Sequence, residues 1–309
     1  MNIFRNCNEI PTDFNSVVST GTFDGVHKGH RAIIKRVNEI AEQHKLKSVI
    51  VTFEPHPRVA LGNEGTHLKL LTTLDEKLAI FEELGIDIVF VIDFTSEFAA
   101  MPYEVYVKDF LVKELKAKYV VLGFNHHFGN HRSGNHDTLF KSGEVYGFQV
   151  EEVSEQTEGN IVPSSTKIRL LLEHNHVEEA NILLSYNYSL VGKVVEGNQI
   201  GKQIGFPTAN LKVADVLKQI PANGVYAVQI VVDNELFEGM CNIGNNPTFV
   251  NRPRSIEVHI FGFDRTIYGK NIKLVFKYFV RNEKKFTGVK ELTKQLARDK
   301  KIILKKRNG

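Results

Sequence analysis

From Val17 to Leu122 the chain alternates between short β-branched apolar runs and stretches with helical periodicity, and this alternation restricts the fold more than any other feature. Val17 to Phe23, Ser48 to Phe53, Ile86 to Ile92 and Tyr119 to Leu122 read as strands. Between them, His30 to His44 places Ile33, Ile34, Val37, Ile40 and Ala41 on one helical face, and Asp75 to Leu84 and Tyr103 to Lys116 are also amphipathic. Strands that are apolar on both faces and are separated by helices predict a parallel sheet covered on both sides. Two short helices follow, near Ser164 to Glu173 and Val177 to Leu184.

After about Tyr186 the texture changes. Gly192, Gly197, Gly201 and Gly205 recur at short spacing, followed by alternating runs at Val225 to Val232, Leu236 to Asn242, Ile256 to Phe263 and Ile272 to Val280. Turn residues such as Asp233-Asn234 and Asn245-Asn246-Pro247 separate them. This pattern predicts an antiparallel barrel, closed by a helix over Val289 to Leu304. A length of 309 residues agrees with two domains at roughly 150 residues each. The expected division is 1–186, a Rossmann-like α/β domain, and 187–309, the barrel.

Hydrophobic residues make up 42% and charged residues 24%, values that exclude disorder, collagen and coiled coil. A net charge of +3 is too mild to argue for nucleic acid by bulk electrostatics. The basic run Lys300 to Arg307 reads as a solvated helix end. No apolar run approaches the ~20 residues that span a bilayer, and the first residues lack the apolar core of a signal peptide. Cys7 and Cys241 cannot build a disulfide framework, so a cytoplasmic protein is expected.

The strongest chemical signal is Gly21-Thr22-Phe23-Asp24-Gly25-Val26-His27-Lys28-Gly29-His30, which ends one strand and opens a helix. Such a junction offers unpaired backbone N–H groups and the positive end of a helix dipole to a phosphate. His27 and His30, three apart at a helix start, share one face and can stabilise charge on a departing pyrophosphate. A capped helix start with surface histidines, or half of a zinc site, are the alternative readings. The segment resembles the H-x-G-H signature of the nucleotidyltransferase superfamily.

Three further segments end strands or begin helices. Gly123-Phe124-Asn125-His126-His127-Phe128-Gly129, with Arg132-Ser133-Gly134, follows the strand at 119–122 and should face the first site, since ligands sit beyond the carboxyl ends of parallel strands. Its histidines, which include His131 and His136, leave a metal reading open beside contacts to a ring system and a phosphate. Val162-Pro163-Ser164-Ser165-Thr166-Lys167-Ile168-Arg169 offers a capped helix start with basic residues, which suits a phosphate. Thr52-Phe53-Glu54-Pro55-His56-Pro57 ends another strand and lines the same cleft, unless its prolines are purely structural.

In the second half, Gly201-Lys202-Gln203-Ile204-Gly205-Phe206-Pro207-Thr208-Ala209-Asn210 is glycine-rich but is not a Walker A loop. Thr208 and Asn210 bracket one residue, so in an extended stretch both side chains point one way, as hard oxygen donors to Mg²⁺ or as ordinary turn chemistry. Along Ser255 to Phe261, Glu257 and His259 face opposite to Ile256, Val258 and Ile260. A carboxylate on a strand is usually solvated, but phosphoryl transfer needs a group to accept a hydroxyl proton, and Glu257 is the best candidate. Arg281 to Phe286 follows the last strand and is placed to contact a ligand or shape a lid.

Taken together, the segments at 21–30, 53–57, 123–134 and 162–169 resemble, in order and spacing, the adenylyltransferase module of the prokaryotic bifunctional riboflavin kinase/FAD synthetases. Gly205 to Leu211, Gly224 to Ala227, Asn242 to Thr248, Ile256 to Phe261 and Arg281 to Gly288 resemble their kinase module. The resemblance implies that His27 and His30 bind ATP phosphates, assisted by Asn125 and Arg169, with Gly21, Phe23, Asp24, Gly29, Ser164, Ser165 and Thr166 around the nucleotide. It implies flavin contacts at Phe53, Pro55, His56, Phe128 and Arg132 in the first half and at Asn242, Arg281 and Phe286 in the second. It makes Gly201, Lys202, Gly205 and Pro207 the kinase ATP loop, Thr208 and Asn210 the Mg²⁺ residues and Glu257 the base. Asn stands at 125 where many members carry Asp, and Lys202 stands where Arg is frequent.

The resemblance therefore implies an enzyme with two active sites that uses ATP and Mg²⁺. One converts riboflavin to FMN and the other converts FMN to FAD plus pyrophosphate, with no nucleic acid or membrane partner. Its rivals are a kinase whose first half is silent, a flavin-binding protein without turnover, and a tRNA-handling relative of the H-x-G-H synthetases.

Overall fold

The computed structural model describes residues 1–11, 13–62, 68–124, 134, 136–197, 200–244 and 254–307. The chain divides into two compact units, Met1–Ser165 and Thr166–Gly309.

The first unit is a six-stranded parallel sheet in the order β1-β4-β3-β2-β5-β6. Its strands are β1 (Asn2–Phe4), β2 (Ser16–Thr20), β3 (Lys47–Glu54), β4 (Ile88–Asp93), β5 (Ala117–Gly123) and β6 (Gln149–Val153). The apolar runs are continuous because both faces are buried. Val17, Ile50, Val89, Val91 and Val121 pack with Ile34, Val37 and Ile40 of the helix Lys28–His44 and with Phe81 of the helix Leu74–Glu83. Val18, Val49, Val51, Phe90, Val120 and Leu122 pack on the opposite side with Tyr106, Val107 and Leu111.

The expected helix over 103–116 is a single turn at Tyr103–Val105 that runs into a π-helical stretch, Tyr106–Glu114. The expected first strand stops at Thr20, because the chain turns sharply after it. Strands β1 and β6 are additions to the sequence reading.

The strand order reverses at β2. From β2 the chain proceeds through β3 and β4 toward one edge, and from β5 it proceeds to β6 at the other. The carboxyl ends of β2 and β5 therefore flank the crevice where open α/β sheets bind ligands.

The second unit is a closed barrel in the order β10-β11-β8-β7-β12-β9. Its strands are β7 (Ser189–Val195), β8 (Ala209–Lys212), β9 (Gly224–Val232), β10 (Glu235–Gly244), β11 (Ser255–Ile260) and β12 (Asn271–Arg281), every neighbour antiparallel. Asp233 and Asn234 both adopt positive φ between β9 and β10, the conformation a two-residue hairpin turn demands. The helix Val289–Arg307 packs Leu296 and Ile303 with Val225, Ala227 and Met240.

The helix Val177–Leu184 belongs with the barrel: Asn181 Nδ2 donates to the Phe276 carbonyl at 2.9 Å and Asn181 Oδ1 accepts from Tyr188 N–H at 2.7 Å. No helix among the described residues is long and apolar enough to cross a membrane.

Candidate active sites

In the first unit the turn between β2 and the helix Lys28–His44 takes an unusual path. Phe23, Gly25 and Val26 all have positive φ (48°, 80° and 36°). For a β-branched residue such as Val26 this is a strained conformation that the surroundings must hold. Those surroundings are visible. The Asp24 carboxylate is buried and accepts from Leu71 N–H (2.9 Å) and Thr72 N–H (3.1 Å). Gly25 N–H donates to Thr72 Oγ1 at 3.0 Å, and Ser165 Oγ donates to the Asp24 carbonyl at 2.8 Å. Phe23 is buried edge-on against Phe81 and His30.

The turn delivers His27 to the helix N-cap and His30 to its first turn. Their rings stack, with centroids 3.7 Å apart and planes 19° from parallel. A Cβ at Gly29 would lie 3.3 Å from the His27 ring, so the glycine gives that ring room. Burial lowers the His27 pKa to about 4, which makes it a neutral imidazole at physiological pH. In that state it can offer an N–H donor to an anion, and its Nδ1 has no hydrogen-bond partner among the described residues.

Both histidines line a cavity of about 1000 Å³, together with Gly21, Phe23, Gly29 and, from the carboxyl end of β5, Gly123 and Phe124. Phe53, Phe94, Phe98 and Met101 give the cavity an apolar part of its lining, and the three phenylalanines pack edge-on or tilted at 5.3–5.9 Å between centroids.

The structure thus brings together His27, His30, Gly21, Phe23, Gly29 and Phe53. Asp24 sits behind the turn. Pro55 and His56 lie next to the cavity-lining Pro57, and His56 Nδ1 accepts from Arg58 N–H at 3.1 Å. Ser164 directly follows the cavity-lining Pro163. Thr166 and Arg169 fall in the second compact unit, where Arg169 is buried. Asn125, Phe128 and Arg132 lie outside the described residues.

Two lysines, of which the sequence reading singled out only Lys28 as part of the 21–30 motif, also hold this site. Lys77 is buried beneath the turn and donates to the Thr22 carbonyl (3.1 Å) and to Thr52 Oγ1 (2.8 Å). Lys28, at the start of the helix, pairs with Glu158.

In the barrel, strand register assembles the second site. Glu257 on β11 stands opposite Asn210 on β8 and opposite Asn242 on β10. Directly opposed residues of antiparallel strands present their side chains on the same face, so the three polar groups form one row. Burial raises the Glu257 pKa, and a Ser255 hydrogen bond partly offsets the rise. A carboxylate made more basic in this way is a better proton acceptor.

The glycines opening this half have a spatial reason. A Cβ at Gly197 would fall 1.9 Å from Asn210 Nδ2, and one at Gly201 would fall 3.3 Å from Thr208 Oγ1 and 2.2 Å from the Phe206 carbonyl. The Asn210 amide and the Thr208 hydroxyl therefore lie against backbone that no larger residue permits. Oxygen donors beside backbone stripped of side chains fit Mg²⁺ carried by a polyphosphate, since that ion prefers oxygen and keeps other positions for phosphate and water. Gly201 accepts from Phe206 N–H at 2.8 Å, Gly205 has φ 78°, and Lys202 and Pro207 are exposed on the same loop.

His259 shares the Glu257 face, as expected, and its Nδ1 lies 2.8 Å from the Pro207 carbonyl, which makes Nδ1–H the donor and ties β11 to the loop. Arg281 is committed to the C-terminal helix, with Nε 3.0 Å and Nη2 2.7 Å from Asp299 Oδ2. Phe286 is half-buried in the segment leading to that helix. Glu283, within the 281–286 segment, accepts from Asn223 Nδ2 at 3.1 Å and would meet a Cβ on Gly244, so it edges the same row.

Comparison with known proteins matches the two halves separately. A family model described as FAD synthetase covers residues 9–167, and one described as riboflavin kinase covers residues 184–306. A bifunctional riboflavin kinase/FMN adenylyltransferase of Listeria monocytogenes is 42% identical over 290 residues, spanning 93% of this chain and 91% of its own. The Bacillus subtilis protein of the same name is 37% identical over 94% of this chain and 92% of its own. A crystal structure from Streptococcus pneumoniae, described as a macrolide-efflux protein, superposes with a TM-score of 0.89 at 31% identity, covering 97% of both chains. With one family model on each half and a 42% identical relative along nearly its whole length, this chain belongs to the bifunctional riboflavin kinase/FMN adenylyltransferase family.

Proposed function

We propose that the chain makes FMN and then FAD at two separate sites, the α/β unit carrying adenylyl transfer and the barrel the kinase. In the barrel, Glu257 accepts the proton of the riboflavin 5′-hydroxyl as that oxygen bonds to the γ-phosphorus of ATP and ADP leaves. Asn242 flanks Glu257 on the flavin side, and the 201–208 loop wraps the nucleotide. Thr208 and Asn210 hold Mg²⁺, which when bound neutralises phosphate charge. In the α/β unit a phosphate oxygen of FMN bonds to the α-phosphorus of ATP, the α–β bridge breaks and pyrophosphate leaves. Neutral His27 and its neighbour His30 donate hydrogen bonds to the phosphates, and the phenylalanine wall takes the flavin ring. Both steps depend on positioning and charge stabilisation.

The observation that carries this reading is the cavity itself. Stacked histidines at a helix start and an aromatic cluster line one cavity of about 1000 Å³, the upper end of the ~300–1,000 Å³ typical of ligand pockets. Both reactions consume ATP and both cysteines are free thiols, which suits the cytoplasm. The test is to assay the two halves separately on the full chain. FMN plus MgATP should give FAD and pyrophosphate, riboflavin plus MgATP should give FMN and ADP, and a chelator should stop both. A flavin that binds and never reacts would contradict the proposal.

A further inference from the structure

Beneath the strained 21–26 turn lies a charged group that the reaction scheme above does not use. Lys77 is only 6% exposed, on the helix Leu74–Glu83, and its ammonium donates to the Thr22 carbonyl at 3.1 Å and to Thr52 Oγ1 at 2.8 Å. Thr52 Oγ1 in turn donates to the same carbonyl at 3.3 Å. Two donors on one carbonyl fix the plane of the Thr22–Phe23 peptide. In a trans peptide the C=O and the following N–H point opposite ways. With the carbonyl drawn inward to Lys77, the Phe23 N–H is turned away from the helix, in a segment whose residues line the cavity.

We propose that Lys77 is a positioning residue for adenylyl transfer, holding the Thr22 carbonyl so that the 21–26 backbone stays shaped for phosphate and placing a positive charge behind it. A buried lysine is an expensive way to pin a carbonyl, and a neutral donor would satisfy the hydrogen bond alone. What the ammonium adds is a fixed charge close to where negative charge accumulates as pyrophosphate departs. Two carboxylates keep it protonated: Asp24, from the turn itself, and Glu54, from the end of β3. Burial outweighs them and lowers the Lys77 pKa to about 8, so its charge is lost just above neutral pH.

This inference rests on the adenylyl-transfer reading of the cavity, and the riboflavin kinase activity of the same chain is its internal control. The experiment measures kcat and KM for FMN-to-FAD conversion and for riboflavin-to-FMN conversion, across neutral and alkaline pH, in wild type, Lys77→Met and Lys77→Gln. The wild-type FAD-forming kcat should fall above about pH 8. Lys77→Met should lower that kcat about tenfold to hundredfold, with a smaller change in KM and no alkaline fall of its own. Lys77→Gln, which keeps a donor without the charge, should recover part of the kcat and also lack the alkaline fall. Kinase rates should match wild type in both variants.

A Met variant with wild-type kcat and an unchanged alkaline fall overturns the proposal. A parallel loss of kinase activity also overturns it, because Lys77 would then be a folding residue. Wild-type protein that forms no FAD removes the underlying reading of the cavity and this inference with it. FAD formation that is indifferent to Lys77 removes this inference alone.

Discussion

Glu257 and Asn210 stand directly opposite one another on β11 and β8, so the proposed proton acceptor and a proposed Mg²⁺ residue share one face of the barrel. Replacing the carboxylate by an amide keeps the shape and removes the basicity. Glu257→Gln should lower riboflavin phosphorylation about 10²–10⁴-fold in kcat. FAD formation from supplied FMN should be unchanged. Flavin chromatography on the two substrates separates these outcomes.

At the other site, His27→Ala should reduce FMN adenylylation about 10²–10³-fold, the loss expected for one preorganised donor to developing charge. FMN production from riboflavin should continue, so the variant should accumulate FMN. Mixed with Glu257→Gln protein, it should restore FAD formation from riboflavin, since each variant keeps the site the other lacks.

How much of this was readable beforehand differs between the two sites for physical reasons. Strands such as Ser48 to Phe53 were legible because both faces are buried and Val49-Ile50-Val51 is a continuous β-branched apolar run. The glycines and histidines of 21–30 marked a candidate phosphate-binding turn without tertiary information. The positive φ of Phe23 and Val26 was not legible, because both residues locally prefer negative φ. That shape is imposed by Leu71, Thr72 and Lys77, remote in sequence.

Lys77 itself reads as helix surface, where lysines usually stay solvated. Alternation along β11 indicated which way Glu257 faces, but register with β8 and β10 had to come from the fold. Edge strands β1 and β6 were missed because one is three residues long and the other, Gln-Val-Glu-Glu-Val, is mostly polar.

Burial of His27 has a consequence for acid stability. Its pKa is about 4 in the folded chain against an ordinary 6.5, so between these values the unfolded chain binds a proton that the folded chain refuses. Stability should therefore fall as pH drops from about 6.5 toward 4, by about 3 kcal/mol from this group at 1.36 kcal/mol per unit. Denaturant unfolding of wild type and His27→Gln across that window checks the sign, since the variant should lose close to one proton of pH dependence.

Arg281 and Asp299 tie the end of β12 to the C-terminal helix. Asp299 is fully buried and also accepts from Gln295 Nε2 at 2.8 Å. Removing one partner of such a pair strands the other, a loss of roughly 3–5 kcal/mol. Asp299→Ala should lower the melting temperature and reduce kinase activity by loosening the helix over Val225, Ala227 and Met240. Calorimetry of the full chain reads the first effect, and the riboflavin assay reads the second.

The most direct test of two linked sites on one chain is a single time course. Purified protein is incubated with riboflavin, ATP and Mg²⁺, and the flavins are separated as they form. The account predicts FMN appearing first and FAD following at its expense, with pyrophosphate released in step with FAD. Riboflavin that stays unconverted, or FMN that accumulates and never becomes FAD in the wild-type chain, would contradict it.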